Sequence, residues 1–471
     1  MKKLFLLLFI FSFHLAGAQL RLPSLFGDHM VFQQQSDAPI WGWASPGEKI
    51  FIKPSWSPDT VKTQAANTGK WMAKVKTPAA GGPFQVWIKA RDIVTLNDVM
   101  IGEVWICSGQ SNMEWSVNNG SADAKEDMPK ANFPGIRLFH VNRSGAALPQ
   151  EHGEGEWKLC TPESMKGFSA VGYFFGKKLN ADLKIPIGLI NVSWGGTPAE
   201  VWLPKEKVES DSDLKASASL LKEFQWWPKD PGVVYNSMIK PLVPFSIAGT
   251  IWYQGESNAA SPSTYSKLMK TLIESWRSDF NKDFPFYFVQ IAPYSGYGRM
   301  NEAALVQEQQ CKVLKMVPKT GMVIISDKVD NLADIHPTNK KPVGDRLANL
   351  ALTEMYGHPV SGYRSPVYKS VAVEKGKARI SFDYAEVGLI SFGGDPKEFQ
   401  IAGSDRKFYP AIAKIEGSTV IVSAKEVKVP VAVRYAWGNA IVSNLYNKEG
   451  LPVSIFRTDD WDVELSPVVK K

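Results

Sequence analysis

Cysteine and histidine are scarce in this chain. Only three cysteines (Cys107, Cys160 and Cys311) and six histidines occur among its 471 residues, and no two cysteines have the spacing of a metal-binding pair. An odd number of cysteines does not suit a disulfide-stapled scaffold, and so few thiol and imidazole groups argue against a zinc site. We therefore expect no zinc site, and no other metal or cofactor is predicted. A single bridge between Cys160 and Cys311 stays open as an alternative.

Blocks of like charge and long apolar runs are also missing beyond the N-terminus. The formal net charge of +7 is spread along the chain without a Lys/Arg cluster, so no nucleic-acid partner is predicted. Residues 1–18 begin with Met-Lys-Lys, continue with a short apolar run and end in Ala-Gly-Ala. This pattern predicts a signal peptide, and the run is too short to be a comfortable membrane span. We expect an exported protein, periplasmic or extracellular, whose oligomeric state the sequence leaves open.

Three regions follow the predicted leader, and they differ in pattern. Residues 19–97 contain short β-rich runs punctuated by Pro and Gly, which predicts an N-terminal β-sandwich domain. Residues 98–362 alternate apolar strands with helical stretches, which predicts an α/β domain whose parallel sheet has helices on both faces. Residues 363–471 return to β-rich runs and predict a C-terminal β domain.

The predicted parallel sheet has a consequence for function. Right-handed crossovers place the carboxyl ends of all parallel strands at one edge of a sheet. Four turns are therefore expected to meet there: residues 109–112, 194–197, 254–258 and 334–336.

The first of these turns carries a candidate nucleophile. The buried run Val104–Cys107 breaks at Gly109, and Ser111 follows. A strand that ends in glycine and a hydroxyl residue is how an α/β sheet presents a nucleophile, although Ser111 as a simple helix N-cap is the alternative. The base is predicted to be His336, which has Asp334 beside it at the same edge. Asp334 would then hold the imidazole tautomer while the other ring nitrogen faces Ser111; a plain surface turn is the competing interpretation.

The two middle turns offer groups for an oxyanion. Gly195-Gly196 suits a backbone N–H donor, because the missing side chain permits close approach. Gln254 ends a strand and can offer a side-chain amide, but Gln254 and Asn258 can equally stabilise their own loop. Glu256 is open to three interpretations: it orients the histidine, binds a substrate hydroxyl or forms an ion pair.

Taken together, these motifs resemble the sialate O-acetylesterase family, which belongs to the SGNH (GDSL-like) hydrolases. The internal motifs are G-Q-S-N-M at 109–113, S-W-G-G-T at 193–197, W-Y-Q-G-E-S-N-A at 252–259 and D-I-H-P at 334–337. The flanking segments 22–33 and 456–461 are similar to the same family, so the resemblance spans nearly the whole mature chain. It implies an SGNH-type doubly wound parallel sheet between the two β regions.

The resemblance also implies roles for individual residues. Ser111 would be the nucleophile, His336 the base and later the acid, and Asp334 the orienting carboxylate. The oxyanion hole would comprise the N–H groups of Ser111 and Gly196 and a side-chain amide, for which we favour Gln254 over Asn258. The family usually has Asp three residues before His, whereas here it is two before, which leaves Glu256 as the alternative orienter. Supporting or substrate-binding roles are expected for four residues: Gln110, Trp194, Glu256 and Asn258.

The predicted function is that of a serine esterase that removes O-acetyl groups from carbohydrates, with O-acetylated sialic acids as the first candidate substrate. Acetylated xylan or xyloglucan fragments are the alternative, and a non-catalytic glycan-binding protein is an alternative of another class. A sialic acid would need a cation for its carboxylate, and no single arginine stands out. The candidates are Arg137, Arg277, Arg299 and Arg346.

Overall fold

The computed structural model describes residues 19–463 and residue 465, so the predicted signal peptide at 1–18 lies outside the described residues. The α-helices of the described residues are α1 Ser111–Glu114, α2 Ala122–Asp127, α3 Pro162–Lys166, α4 Ala170–Leu183, α5 Lys205–Glu209, α6 Ser212–Ala218, α7 Tyr265–Asp279, α8 Glu302–Met316 and α9 Lys341–Glu354. Between residues 19 and 465, no helix that the structure describes is long and apolar enough to cross a membrane.

The β-strands fall into three groups along the chain. The N-terminal group is β1 Val31–Gln33, β2 Asp37–Trp43, β3 Lys49–Pro54, β4 Val61–Gln64, β5 Lys70–Lys76, β6 Gly81–Lys89 and β7 Ile93–Gly109. The central group is β8 Phe133–Val141, β9 Gly155–Cys160, β10 Ile187–Ser193, β11 Gly249–Tyr253, β12 Phe286–Val289 and β13 Thr320–Val323. The C-terminal group is β14 Val367–Glu374, β15 Lys377–Asp383, β16 Leu389–Ser391, β17 Phe399–Ala402, β18 Phe408–Pro410, β19 Ile412–Glu416, β20 Thr419–Ser423, β21 Ala432–Tyr435, β22 Leu445–Asn447 and β23 Phe456–Arg457.

The main sheet has the strand order β13-β12-β11-β7-β10-β8-β9. Every neighbouring pair from β13 to β8 is parallel, and β9 joins β8 antiparallel. The α/β class is therefore confirmed, but the sheet is mixed rather than wholly parallel. Pro134 and Gly135 interrupt the apolar pattern of β8 near its start.

Side chains of β7 alternate between two apolar layers. Val104 and Ile106 belong to one buried cluster, which also contains the apolar face of α7 and part of α8. Trp105 and Cys107 belong to a second cluster, with the buried sides of α4 and α9. A strand buried on both faces reads as a continuous apolar run, which is why this segment of the sequence shows no alternation. Helices thus cover both faces of the sheet around β7.

The N-terminal β unit and the main sheet share strand β7. The first half of β7 pairs antiparallel with β6, and its middle pairs in parallel with β1. From Glu103 onward the same strand lies between β10 and β11. β7 runs through the predicted domain boundary between residues 97 and 98, and that boundary stays a prediction.

The C-terminal strands form two antiparallel four-stranded sheets, β14-β15-β20-β19 and β18-β17-β21-β23, and one two-stranded sheet. Residues from both larger sheets, such as Ile380 and Val433, share one buried cluster with Ala304 and Leu305 of α8. An ion pair between Arg457 and Glu308 adds to this attachment. The three cysteines are free thiols, so no Cys160–Cys311 bridge is present.

Candidate active site

Gly109 ends β7 at the point where three strands are in register. It faces Ser193 of β10 on one side and Tyr253 of β11 on the other. Its φ is +139°, and a Cβ at this position would lie 2.1 Å from the carbonyl oxygen of Tyr253. Glycine is therefore required here, because any side chain would collide with backbone that cannot move aside. The three turns that follow β7, β10 and β11 consequently start at the same level of the sheet edge.

Ser111 and His336 meet at this edge although 225 residues separate them. The Nε2 atom of His336 lies 2.9 Å from Ser111 Oγ. The imidazole stacks on Trp115, with ring centroids 4.0 Å apart and planes 14° from parallel. Ser111 begins α1, and Trp115 is the residue that ends it. One short helix therefore carries both the hydroxyl and the ring that holds the imidazole against it.

Asp334 is the carboxylate that contacts the histidine. Its Oδ1 accepts the backbone N–H of His336 at 2.9 Å and lies 3.5 Å from the ring Nδ1. The Asp334 side chain is half exposed. Glu256 instead accepts a hydrogen bond from Asn112 Nδ2 at 2.6 Å, and it makes no hydrogen bond to His336. Of the two predicted orienters, only Asp334 contacts the imidazole, through a carboxylate that is half exposed and 3.5 Å from the ring nitrogen.

Ser111 and Gly196 both line the cavity at this edge, and their backbone N–H groups have no hydrogen-bond partner within the described part of the chain. The neighbouring groups are fixed, because Gly195 N–H donates to Glu114 Oε2 at 2.8 Å and Ser257 Oγ donates to the Gly196 carbonyl at 2.8 Å. Unused N–H donors in a rigid turn are what an oxyanion hole requires.

The structure does not bring Gln254 and Asn258 into this group. Gln254 Nε2 donates to Asn258 Oδ1 at 2.7 Å, and Asn258 Nδ2 donates to the buried carboxylate of Glu200. Both side chains are fully used inside the fold, so the expectation of a Gln254 oxyanion donor is not met. The physical reason is that Gln254 is completely buried, and the hydroxyl of Tyr265 donates to its Oε1 at 2.8 Å. Gln110 does reach the site, where its Oε1 accepts the N–H of Ser257 at 3.2 Å.

A cavity of about 440 Å³ opens above the Ser111–His336 pair. Two of its lining residues were not anticipated from the sequence: Arg143, whose guanidinium is held by Glu114, and Trp227, whose ring lies over Gly196. Neither stands in a motif, so only the folded chain reveals them. Trp194, which was predicted to support the site, is not one of the lining residues; its indole N–H donates to the Trp226 carbonyl at 3.2 Å.

The four arginines considered from the sequence form ion pairs with carboxylates that do not line the cavity. Arg137 pairs with Asp98, Arg277 with Asp283, Arg299 with Glu302 and Arg346 with Asp327. Each is committed to holding the fold together. Trp252, the first residue of the motif at 252–259, is fully buried in the core.

A buried polar network lies directly behind the nucleophile. Lys340 is completely buried and donates from Nζ to Asn112 Oδ1 at 2.7 Å. Asn112 Nδ2 donates in turn to Glu256 Oε1 and to the carbonyl of Ile335, the residue before His336. Lys340 also lies over the rings of Trp115 and Tyr253. Asn112 thereby ties the nucleophile's helix to the loop that carries the base.

Burial governs the protonation of this region. Burial lowers the pKa of Lys340 to about 7 and raises the pKa of Glu256 above its ordinary value. Burial, and then the nearby Lys340 cation, lower the pKa of His336, while Asp334 opposes them. His336 is therefore neutral at neutral pH, the state in which it accepts a proton. Among the residues placed by the structure, no group of three or more His, Cys, Asp or Glu side chains is arranged to hold a metal ion.

Comparison with known proteins agrees with this geometry. The family model described as "Carbohydrate esterase, sialic acid-specific acetylesterase" matches residues 101–353, more than half of the chain. The chain belongs to this family of esterases. The resemblance inferred from the motifs is confirmed, and the alternative of a non-catalytic glycan-binding protein is set aside.

Relatives of this esterase match along most of its length. The sialate O-acetylesterase of Mus musculus is 29% identical over 492 residues, covering 90% of this chain and 90% of the relative. The sialate O-acetylesterase of Homo sapiens is 28% identical, covering 90% of this chain and 88% of the relative. The crystal structure of a carbohydrate acetylesterase from Xanthomonas citri superposes on the esterase with a TM-score of 0.85 at 38% identity. It covers 94% of this chain and 100% of that one.

Proposed function

We propose that the esterase removes O-acetyl groups from carbohydrates through an acetyl-serine intermediate formed on Ser111. The observation that carries the proposal is the 2.9 Å contact between Ser111 Oγ and His336 Nε2 at the floor of an open cavity. A hydroxyl in contact with a neutral imidazole, beside two unused N–H donors, is the arrangement that acyl transfer requires.

The proposed reaction has two steps. Ser111 Oγ attacks the acetyl carbonyl carbon while His336 Nε2 takes the hydroxyl proton. The carbonyl oxygen becomes an oxyanion held by the N–H groups of Ser111 and Gly196. The carbon–oxygen bond to the sugar then breaks, and His336 gives its proton to the departing sugar oxygen. Water, deprotonated by His336, attacks the acetyl-serine, and the serine leaves with that proton as acetate is released.

In this mechanism Asp334 and Trp115 are positioning residues. Asp334 favours the tautomer with the proton on Nδ1, and the Trp115 ring limits rotation of the imidazole. We also propose that the α/β part has the SGNH arrangement, supported by the two covered faces of the sheet and the order of the four motifs. Export to the periplasm or the outside of the cell is proposed from the leader-like residues 1–18.

O-acetylated sialic acids are the first proposed substrate, supported by the family description and the names of the curated relatives. Sialic acid carries a carboxylate, and among the described residues that line the cavity the one arginine or lysine is Arg143. Its side chain is half exposed, so the guanidinium is accessible from the cavity mouth.

Acetylated neutral glycans, such as xylan or xyloglucan fragments, are the second candidate. The observation that favours them is the pairing of Arg143 with Glu114, which cancels the positive charge of the cavity wall. A neutral sugar has no charge for Arg143 to attract, so this cancellation does not weaken its binding. The carboxylate of a sialic acid does lose attraction when Glu114 neutralises the arginine.

The test measures acetate release from O-acetylated sialic acid and from acetylated xylo-oligosaccharide, side by side. Ser111→Ala should abolish both activities, lowering kcat by about three orders of magnitude or more. Retention of activity in this variant would refute Ser111 as nucleophile. A serine-directed phosphonate should label the wild-type protein at Ser111, and the acetyl group should be trapped there on rapid quenching.

Arg143→Gln separates the two substrates. If sialic acid is the substrate, the variant should raise KM for it by about tenfold, the size expected when a charge-assisted contact is lost. KM for the xylo-oligosaccharide should stay within about twofold in either case, because a neutral sugar offers no charge to the guanidinium. Equal changes for both substrates would show that Arg143 acts on the shape of the cavity instead.

A further inference from the structure

A cluster of aromatic side chains lies beside the cavity, in the segment between α6 and β11. Residues 224–227, Phe-Gln-Trp-Trp, form a tight turn closed by an antiparallel bridge between Phe224 and Trp227. The rings of these two residues are 4.5 Å apart at a 31° tilt. We refer to residues 224–227 as the aromatic turn.

The aromatic turn exposes an unusual amount of apolar surface. Trp226 is 71% exposed and Phe224 is 47% exposed. Single exposed hydrophobic residues are common, as with Phe392 in the C-terminal β region, which is 57% exposed. Adjacent exposed aromatic rings that do not join the core are different, because such a patch generally marks a site of interaction.

The turn is fixed to the proposed oxyanion-hole turn by two contacts. The Trp227 ring lies so close to Gly196 that a Cβ on this glycine would be 2.2 Å from the ring. The indole N–H of Trp194 donates to the Trp226 carbonyl. Trp227 itself lines the cavity above Ser111. Phe224, whose ring packs against Trp227, and Trp226, the residue before it, therefore belong to the same short turn as a residue of the cavity wall.

The ligand that this surface fits is a sugar ring. A pyranose presents a flat face of C–H groups flanked by hydroxyls, and an aromatic ring covers the C–H face while the hydroxyls remain in water. A planar ring held at the edge of a polar cavity is suited to this contact. A charged or extended peptide ligand would require paired charges or an open strand edge, and the aromatic turn offers neither among its own residues.

We propose that the aromatic turn is a subsite for a sugar ring next to the acetylated one, so that the esterase prefers acetylated oligosaccharides to acetylated monosaccharides. This inference rests on the proposed function, because it places the acetyl ester at Ser111 and the rest of the glycan on the turn. The chemistry is common to plant glycans and sialylated glycans, so the experiment includes both.

The experiment compares chain and single-sugar substrates in the wild type, Trp226→Ala and Phe392→Ala. The pairs are acetylated xylotetraose with acetylated xylose, and O-acetylated sialyllactose with O-acetylated sialic acid. The wild type should show a higher kcat/KM for the chain in at least one pair. Trp226→Ala should reduce that preference about tenfold, mainly through KM, as expected for one lost stacking contact. Phe392→Ala removes an exposed aromatic ring of the C-terminal β region that does not line the cavity, so it should leave the preference unchanged.

An unaltered preference in Trp226→Ala, or a wild type without any preference for chains, would overturn the inference. If the wild type releases acetate from none of the four, the proposed function has failed, and the subsite is tested by binding. Tryptophan fluorescence is then titrated with deacetylated xylotetraose and with sialyllactose. Saturable quenching that Trp226→Ala removes would support the subsite, and its absence at millimolar sugar would refute it.

Discussion

Replacing Lys340 by methionine tests the buried network behind Ser111. Methionine keeps an unbranched side chain of similar length between Trp115 and Tyr253, but it removes the charge. Burial lowers the pKa of Lys340 from 10.5 to about 7. A difference of this size corresponds to a penalty on the order of 5 kcal/mol for holding the charged form in the fold. The unfolded chain does not suffer this penalty, because its lysine is hydrated.

The direction in which stability changes with pH follows from how many protons the folded and the unfolded chain bind. Between about pH 7 and 10.5 the unfolded chain binds the Lys340 proton and the folded chain does not, so the wild type gains stability as pH rises. The penalty is complete below about pH 7. Lys340→Met has no such group, but it leaves Asn112 Oδ1 without its donor, at a cost of about 1–3 kcal/mol at every pH.

The two effects together predict that the stability advantage of the variant over the wild type is lost as pH rises. At pH 6 the variant should be more stable than the wild type by about 2–4 kcal/mol, and between pH 7 and 10 this advantage should shrink by about 4 kcal/mol. The assay is urea unfolding followed by tryptophan fluorescence at several pH values, with the variant always compared with the wild type. Lysine labelled with ¹³C at Cε gives a direct check, because the Lys340 resonance should titrate near pH 7.

The matched control is Lys341→Met. Lys341 is the next residue, its side chain is half exposed and it pairs with Asp345 on the surface. Its replacement should change the free energy of unfolding by less than about 1 kcal/mol across the same pH range. A stability difference between wild type and Lys340→Met that does not vary with pH would refute the reasoning, since it would mean that Lys340 titrates alike in both states.

Three further results are expected. The kcat/KM should fall as pH drops through the pKa of His336, which lies below 6.5, because only the neutral imidazole accepts a proton. Lys340→Met should shift this fall in kcat/KM to higher pH, because it removes the cation that lowers the pKa of His336. Asp334→Asn should lower kcat by only about tenfold, because the carboxylate is half exposed and 3.5 Å from the ring. Gly109→Ala should cost about 3 kcal/mol or more in thermal or urea unfolding. Gly120→Ala, with positive φ but open space, should cost less.

Each of these has a contrary outcome. If kcat/KM falls at the same pH in Lys340→Met as in the wild type, the lysine does not influence the imidazole. A thousandfold loss in Asp334→Asn would mean that the long contact shortens when substrate binds. Equal destabilisation of the two glycine variants would mean that backbone conformation, and not the facing carbonyl, makes Gly109 necessary.

Regular elements with strong patterns were predictable from the sequence. Helices 170–183 and 302–316 lie in the region where the sequence predicts helices between strands, and each has apolar residues on its buried side. The meeting of Ser111 and His336 also follows from topology, since parallel strands place their carboxyl ends together. These features depend on local sequence and on the handedness of crossovers, both of which a single sequence contains.

Features that depend on tertiary packing were not predictable. Lys340 reads as a surface residue near a helix start, and its burial results from the aromatic rings of Trp115 and Tyr253, which come from distant segments. Gln254 follows a strand in the expected way, but its side chain is buried, where it donates to Asn258 and accepts from the hydroxyl of Tyr265. Trp227 lies outside every motif, so no local signal in the sequence indicates its contact with Gly196.

The sharing of β7 has a consequence for how this protein can be divided. A gene fragment starting at residue 98 would cut through a continuous strand, removing the antiparallel pairing with β6 and leaving an unpaired edge beside the catalytic sheet. The N-terminal unit is therefore not an exchangeable module, and inserting or swapping domains at that junction would disturb the strand that ends at Gly109. Loss of the N-terminal strands should therefore disturb the position of the nucleophile, which lies about 20 residues away at the far end of the same uninterrupted strand.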